Sequence, residues 1–278
     1  MGVKVITDST SVVPEPLGRD LAVTSVPVLL HFADGSLRDG ADLDGDELYR
    51  RLERGERVTT SSPSPGDFLA ALQGAAADGY DAVFVTTVSS RLSAIHDAAR
   101  VAAASFFDLP VTIFDSGSAV TGSGMVALEA ARAAADGADL EEVAAAAVAV
   151  AGRVQVVGVV DTLRFLRRSG RVGVVKYWAG SAAGVKPMFR LNGGRVSRAG
   201  LPRTVSAGMD RLVRLVGHGE GDLHVGVFHA AAPERAEELV QRVIAAIPGV
   251  VEIFVSSFSS AMGAHTGPGV VGVGWWRS

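Results

Sequence analysis

Between residues 82 and 135 the chain alternates in a way that few architectures accommodate. Ala82–Thr86 reads as a strand, Leu92–Ala104 as a helix, Val111–Phe114 as a strand and Val120–Ala135 as a helix. Strands joined through helices cannot pair by a tight turn, so the rhythm predicts a mainly parallel, helix-covered sheet. Lys4–Thr7 supplies an earlier short buried strand, and an Ala-rich helix over Leu140–Gly152 closes this half. Within it, Val23–Phe32 reads as extended, Ala33-Asp34-Gly35 as a hairpin turn, and Leu43–Arg54 as a helix with a charged outer face.

From Val154 the texture changes. A strand over Val154–Val160 leads into a basic block, and a hairpin over Lys186–Val196 turns at Asn192-Gly193-Gly194. Then follow a helix (Val205–Val216), a strand (His224–Phe228), a helix (Pro233–Ile247), a strand (Val250–Val255) and a closing glycine-rich segment. The expected organisation is an N-terminal parallel-sheet α/β domain over residues 1–152. A C-terminal α+β domain with a mixed sheet is expected over residues 153–278.

Composition removes several classes of function. Cysteine is absent, so neither a disulfide framework nor thiolate chemistry nor a Cys-based zinc site is available. No apolar run reaches about 18 residues, and Met1-Gly2-Val3-Lys4 lacks a signal-peptide layout, so the expectation is a cytoplasmic protein. The net charge of −4 hides an asymmetry: residues 161–214 hold twelve Lys/Arg and two acids, Asp161 and Asp210. Such a block suits an acidic partner surface, an anionic ligand or an anionic membrane face. Nucleic acid is not expected, because interleaved aromatics are few and the whole chain is acidic.

Hydroxyls cluster where strands end. Val58–Asp67 places Thr59, Thr60, Ser61, Ser62 and Ser64 ahead of an apolar-periodic segment, and its Ser-Pro and Asp read as a helix start. Unpaired N–H groups and the positive dipole end there suit an anion, whereas plain capping needs only one hydroxyl. Both readings stand on the residues alone. Thr86–Ser93 repeats the arrangement, and two such clusters at successive parallel strand ends would share one edge. Asp8-Ser9-Thr10-Ser11 and Asp115-Ser116-Gly117-Ser118 could line the same edge, but capping explains them better.

Several familiar chemistries lack their residues. Gly122–Ala127 fits G-x-G-x-x-A but does not directly follow a strand and lacks the acid a dinucleotide site needs, so close helix packing is the better reading. No Walker lysine, G-x-S-x-G elbow or H-E-x-x-H occurs, and no metal site is expected. In Gly263-Ala264-His265-Thr266-Gly267-Pro268-Gly269, a glycine-framed turn explains neither His265 nor Thr266, which makes His265 the histidine to single out. Arg171, after a sharp Ser169-Gly170, is the best candidate cation. These residues describe an anion-binding crevice between two domains, and they name no reaction.

The set resembles the DegV family of bacterial fatty-acid-binding proteins over the whole chain. The resemblance runs in order through Ile6-Thr7-Asp8-Ser9-Thr10, Thr60-Ser61-Ser62-Pro63-Ser64, Ser89-Ser90-Arg91-Leu92-Ser93 and Phe114-Asp115-Ser116. It continues through Leu163–Val172, Gly184-Val185-Lys186-Pro187 and His265-Thr266-Gly267-Pro268-Gly269. It implies one long-chain fatty acid between the domains and no other cofactor. The carboxylate would lie at Thr60, Ser61, Ser93 and His265 with Thr266 beside them, and Arg171 would be a site-edge or partner-facing cation. It also implies a cytoplasmic, non-catalytic subunit. A separate ATP-binding fatty acid kinase subunit would convert the carboxylate to an acyl phosphate for phospholipid synthesis. The chain departs from the family pattern at Ser169-Gly170-Arg171-Val172, where Gly-Gly-Arg-Ile is usual, and at Ala94-Ile95, where a glycine-threonine pair is usual. Burying about fifteen methylenes at ~0.8 kcal/mol each bounds the gain at roughly 12 kcal/mol before ordering costs. The alternative is a hydrolase or acyltransferase using Ser93 or Ser61 with His265.

Overall fold

The computed structural model describes residues 2–43, 45–168 and 184–278. Among these residues the strands form three sheets. The first is wholly parallel, in the order β2-β1-β6-β7, and comprises β1 (Val3–Asp8), β2 (Thr24–Val26), β6 (Ala82–Thr87) and β7 (Val111–Asp115). Every residue of β6 is buried, as expected of a strand covered on both faces. Alternate residues serve different cores. Ile6, Val83 and Val85 face α3 (Pro65–Ala77) and α4 (Ile95–Ala104), while Val5 and Phe84 face α5 (Thr121–Ala135) and α6 (Leu140–Ala151).

The second sheet is mixed, in the order β10-β9-β8-β13-β11-β12. Its strands are β8 (Gln155–Val159), β9 (Met188–Asn192), β10 (Arg195–Gly200), β11 (Leu223–His229), β12 (Val250–Ser257) and β13 (Val271–Arg277). Only β11 and β12 pair in parallel. One face carries Val157, Val159, Val225 and Val273 against Met209 and Leu212 of α8 (Val205–Val216) and Leu239 and Val243 of α9 (Pro233–Ala246). The opposite face joins the core of the N-terminal half through Val156, Leu191 and Phe228.

Helix α5 sits between the two large sheets, which is why ten of its residues are buried. A side chain on Gly122 would collide with Ser118, and one on Gly124 with the Ser11 carbonyl. The glycines of the G-x-G-x-x-A stretch therefore serve close packing.

The third sheet is small and antiparallel: β3 (Leu29–Phe32), β4 (Gly35–Arg38) and β5 (Thr59–Ser61), in the order β4-β3-β5. Three local readings are corrected here. The expected single extension over Val23–Phe32 divides around Pro27, which has no N–H for a continuous ladder, and its two pieces join different sheets. Thr59–Ser61, read only as hydroxyls leading into a helix, is itself a strand; the expected helix start holds, with α3 beginning at Pro65 and Ser64 and Asp67 forming a reciprocal capping box. The closing segment is a full strand, β13, in which Trp275 and Trp276 are buried. Among the described residues no helix is long and apolar enough to cross a membrane.

Candidate functional site

The strand reading of β5 decides which hydroxyls face inward. Side chains alternate along a strand, and Thr60 pairs with fully buried Leu30 whereas Thr59 pairs with His31. Thr60 therefore points toward the interior. Ser61, more exposed than Thr60, also borders the cavity, and its Oγ lies 2.8 Å from Nε2 of His31, whose Nδ1 lies 2.7 Å from Ser36 Oγ.

Opposite Thr60 stands α10 (Ser260–Thr266), which packs on α2 (Gly45–Glu53), β3 and β5. His265 is in the last turn of this helix. The expectation of a glycine-framed turn is thus corrected: the helix needs a small residue at Gly263, where a Cβ would lie 2.5 Å from Tyr49 Oη, and it ends at Gly267 with φ +73°. Nε2 of His265 lies 2.8 Å from Thr60 Oγ1, across 205 residues of sequence. Thr266 also lines the cavity, but its hydroxyl donates to the Met262 carbonyl at 3.1 Å.

The helix is anchored from the N-terminal half. Asp39, only 4% exposed, accepts the Ser260 N–H at 2.8 Å and the Ser9 hydroxyl at 2.7 Å, and Ser9 Oγ accepts the Val28 N–H. Burial pushes the Asp39 carboxyl above its usual range, against the opposing pull of Ser9. Asp8 braces the neighbouring loop in the same way. Fully buried and likewise raised by burial, it accepts from Thr10 and from the Val88 N–H at 2.8 Å, tying the ends of β1 and β6 together. Asp115 accepts from Ser90 and from the Gly117 N–H. The acids at the strand ends brace loops, as capping requires.

Ser93 precedes α4, and its Oγ stands 3.3 Å from Ser62 Oγ and within 3.4 Å of the Ile95 N–H. Two pairs therefore form the polar end: Thr60 with His265, and Ser62 with Ser93. Ser62 belongs to the hydroxyl cluster but was not among the predicted site residues, and nor was Thr10, which also lines the cavity. Arg171 lies outside the described residues. The contacts described for Ser61 and Ser93 are to His31 at 2.8 Å and to Ser62 at 3.3 Å, whereas a serine nucleophile would need a contact to His265.

Behind the polar end is a cavity of about 410 Å³, within the ~300–1,000 Å³ of small-molecule sites. The remaining walls are apolar. Val88, Ile95, Ala119 and Val120 come from the parallel-sheet side; Val160, Phe189, Leu191 and Val196 come from β8–β10 and their flanks. The β9–β10 hairpin closes across the halves, its Gly194 N–H donating to the Gly117 carbonyl at 2.5 Å. On the same hairpin, Arg195 and Arg198 are exposed. Among the described residues, the cluster with metal-ligand spacing is Glu129, His224 and Glu252, away from this cavity, and Arg132 already ion-pairs with both carboxylates.

Comparison with known proteins gives concordant matches. The DegV family model, described as "Uncharacterised protein, DegV family", matches residues 2–278. A DegV domain-containing protein of Streptomyces coelicolor is 36% identical over 273 residues, covering 98% of this chain and 97% of the relative. A structure described as fatty acid binding of a DegV family protein from Thermus thermophilus superposes with a TM-score of 0.93 at 29% identity, covering 100% of both chains. A second, of DegV, a fatty acid binding protein from Bacillus subtilis, gives 0.88 at 26% identity, again covering 100% of both.

Proposed function

The chain belongs to the DegV family, and on that footing we propose that it binds one long-chain fatty acid and presents its carboxylate to a separate ATP-dependent kinase subunit. The observation that carries the binding reading is the Thr60–His265 contact at 2.8 Å, in the wall of a cavity lined mostly by apolar side chains. A carboxylate taken from water needs several donors to offset its desolvation, and Thr60, Ser62, Ser93 and His265 supply that class of group at one end. The acyl tail then lies along aliphatic and aromatic walls, where each methylene adds favourable burial. The Thermus thermophilus and Bacillus subtilis structures, described as fatty acid binding, support the same ligand class.

Presentation to a partner rests on the resemblance and on charge. Arg195 and Arg198 lie exposed beside the cavity, on the basic block that suits an acidic protein face or a transient anionic membrane contact. In this reading the protein is cytoplasmic and not itself an enzyme, and phosphoryl transfer belongs to the partner, feeding phospholipid synthesis.

The test is native mass spectrometry of the purified protein, followed by solvent extraction. One equivalent of free fatty acid is expected. His265→Ala should weaken fatty acid binding about 10- to 100-fold while leaving the matched fatty alcohol within about threefold, because the lost hydrogen bond is to a charged group. An apo mass that persists after incubation with fatty acids defeats the proposal. Turnover of an acyl ester by the isolated chain, lost in Ser93→Ala or Ser61→Ala, would establish the hydrolase alternative instead.

A further inference from the structure

One cross-strand row of the mixed sheet reaches the cavity at Phe189. Phe189 on β9 pairs with Gly158 on β8, Gly158 with Gly272 on β13, and Gly272 with Phe228 on β11. Two residues without side chains thus lie between two phenylalanines at one level of the sheet. The rings fill the space above them. A Cβ on Gly158 would stand 2.6 and 2.7 Å from Cε1 and Cζ of Phe189, and 3.2 Å from Cζ of Phe228. Phe228 is fully buried and stacks on Phe258 with centroids 5.3 Å apart, while Phe189 and Phe258 both line the cavity.

A Cβ at Gly158 would overlap the Phe189 ring, and that same ring lines the cavity. Filling the position forces the ring to shift, which changes the space available to a ligand. Gly272 offers no such lever, because a methyl there also meets the Val157 carbonyl oxygen at 2.6 Å, and a main-chain oxygen cannot swing aside as a ring can.

Resting on the fatty acid reading above, we infer that the Gly158–Phe189 pair sets the acyl length the protein accepts. With bare backbone at 158 the ring reclines and leaves room for a long tail. Thr60, Ser62, Ser93 and Thr266 come from β5 and the residue after it, the approach to α4, and α10, none of which carries Phe189, so displacing that ring alters the tail's space and leaves the carboxylate's partners in place.

The experiment is a titration of the full chain, stripped of lipid, with dodecanoate, hexadecanoate, octadecanoate and eicosanoate. Gly158→Ala should weaken octadecanoate about tenfold or more, the loss expected when roughly two methylenes no longer fit, and leave dodecanoate within about threefold. Phe189→Ala added to Gly158→Ala should restore the long chain. Phe189→Ala alone, which needs no repacking around a new methyl, should strengthen eicosanoate several-fold relative to hexadecanoate. A Gly158→Ala profile that is unchanged or falls equally for all lengths overturns the inference, as does an unchanged profile in Phe189→Ala. Should the unsubstituted protein bind none of the four acids, the fatty acid reading itself fails, an outcome distinct from a failure of the length determinant alone.

Discussion

The two ends of the cavity are built by different physics. At the polar end each side chain has a named partner within about hydrogen-bond reach: Thr60 with His265, Ser62 with Ser93, and Asp39 holding the helix that carries the histidine. On the apolar side no single contact dominates, and Leu191, Val196 and Phe189 act through shape and area. Directional groups decide which end of a ligand enters where, while area decides how firmly it stays. A change in the polar end should therefore separate acids from alcohols, and a change in the apolar wall should treat both alike.

The strongest attempt to break that contrast is Leu191→Ala. Leu191 is 3% exposed and belongs both to the shared core and to the cavity. Truncation should cost about 2–5 kcal/mol of stability, measured by urea unfolding, and weaken a fatty acid and its alcohol by similar factors. Selective loss of the acid alone would erase the distinction. Next comes Thr60→Val, which keeps the shape and deletes the hydroxyl. It should weaken the fatty acid about tenfold by displacement titration and leave the alcohol within about threefold. Ser61→Ala sharpens the same point: Ser61 borders the cavity but its hydroxyl is engaged with His31, so an effect below about threefold is expected.

The smallest effect concerns the scaffold between the ends. Burial holds the His229 imidazole below its ordinary value of 6.5, with Glu234 partly opposing, and its Nδ1 accepts the Ala232 N–H at 3.3 Å. As pH falls below 6.5 the unfolded chain takes up a proton that the folded protein refuses, so this contribution to stability, complete above 6.5, is lost toward the folded pKa. Asp8 and Asp39, raised by burial, act in the opposite sense, gaining stability as pH falls through their raised values. The isolating measurement is thus a difference. His229→Gln should lose less stability than the unsubstituted protein between about pH 7.5 and about pH 5.5.

What could be read from the sequence follows the range over which each signal acts. The alternation over residues 82–135 is local and periodic, and it predicted the parallel sheet with its helices; the Asn192-Gly193-Gly194 turn likewise marked the β9–β10 hairpin. The shared edge of the two hydroxyl clusters was expected for the wrong reason. Thr86–Ser93 runs on from the end of parallel strand β6, but Thr59–Ser61 belongs to the separate antiparallel sheet, and the clusters meet through tertiary packing at Ser62 and Ser93. Context-dependent elements were misread. Thr59–Ser61 is too short to show alternation and is a strand because β3 lies beside it. His265 was found by composition, but the glycines around it concealed a helix whose stability comes from packing on α2 and from the cap at Asp39. β13 was missed because Gly272 and Gly274 have poor strand propensity, and what selects them is the close approach of Phe228 and Thr121.

That last strand has a consequence for how the protein comes into being. β13 enters between β8 and β11, both of which precede it in the chain. At about 5–20 residues per second, a ribosome delivers two partial sheets, β8-β9-β10 and β11-β12, before the strand that joins them. In that interval each partial sheet presents an unpaired edge, the kind of template on which nascent chains associate. His265 emerges only a few residues ahead of β13, so competence to hold a ligand arrives together with the closure of the sheet. A chain interrupted before Val271 would be left with two open seams.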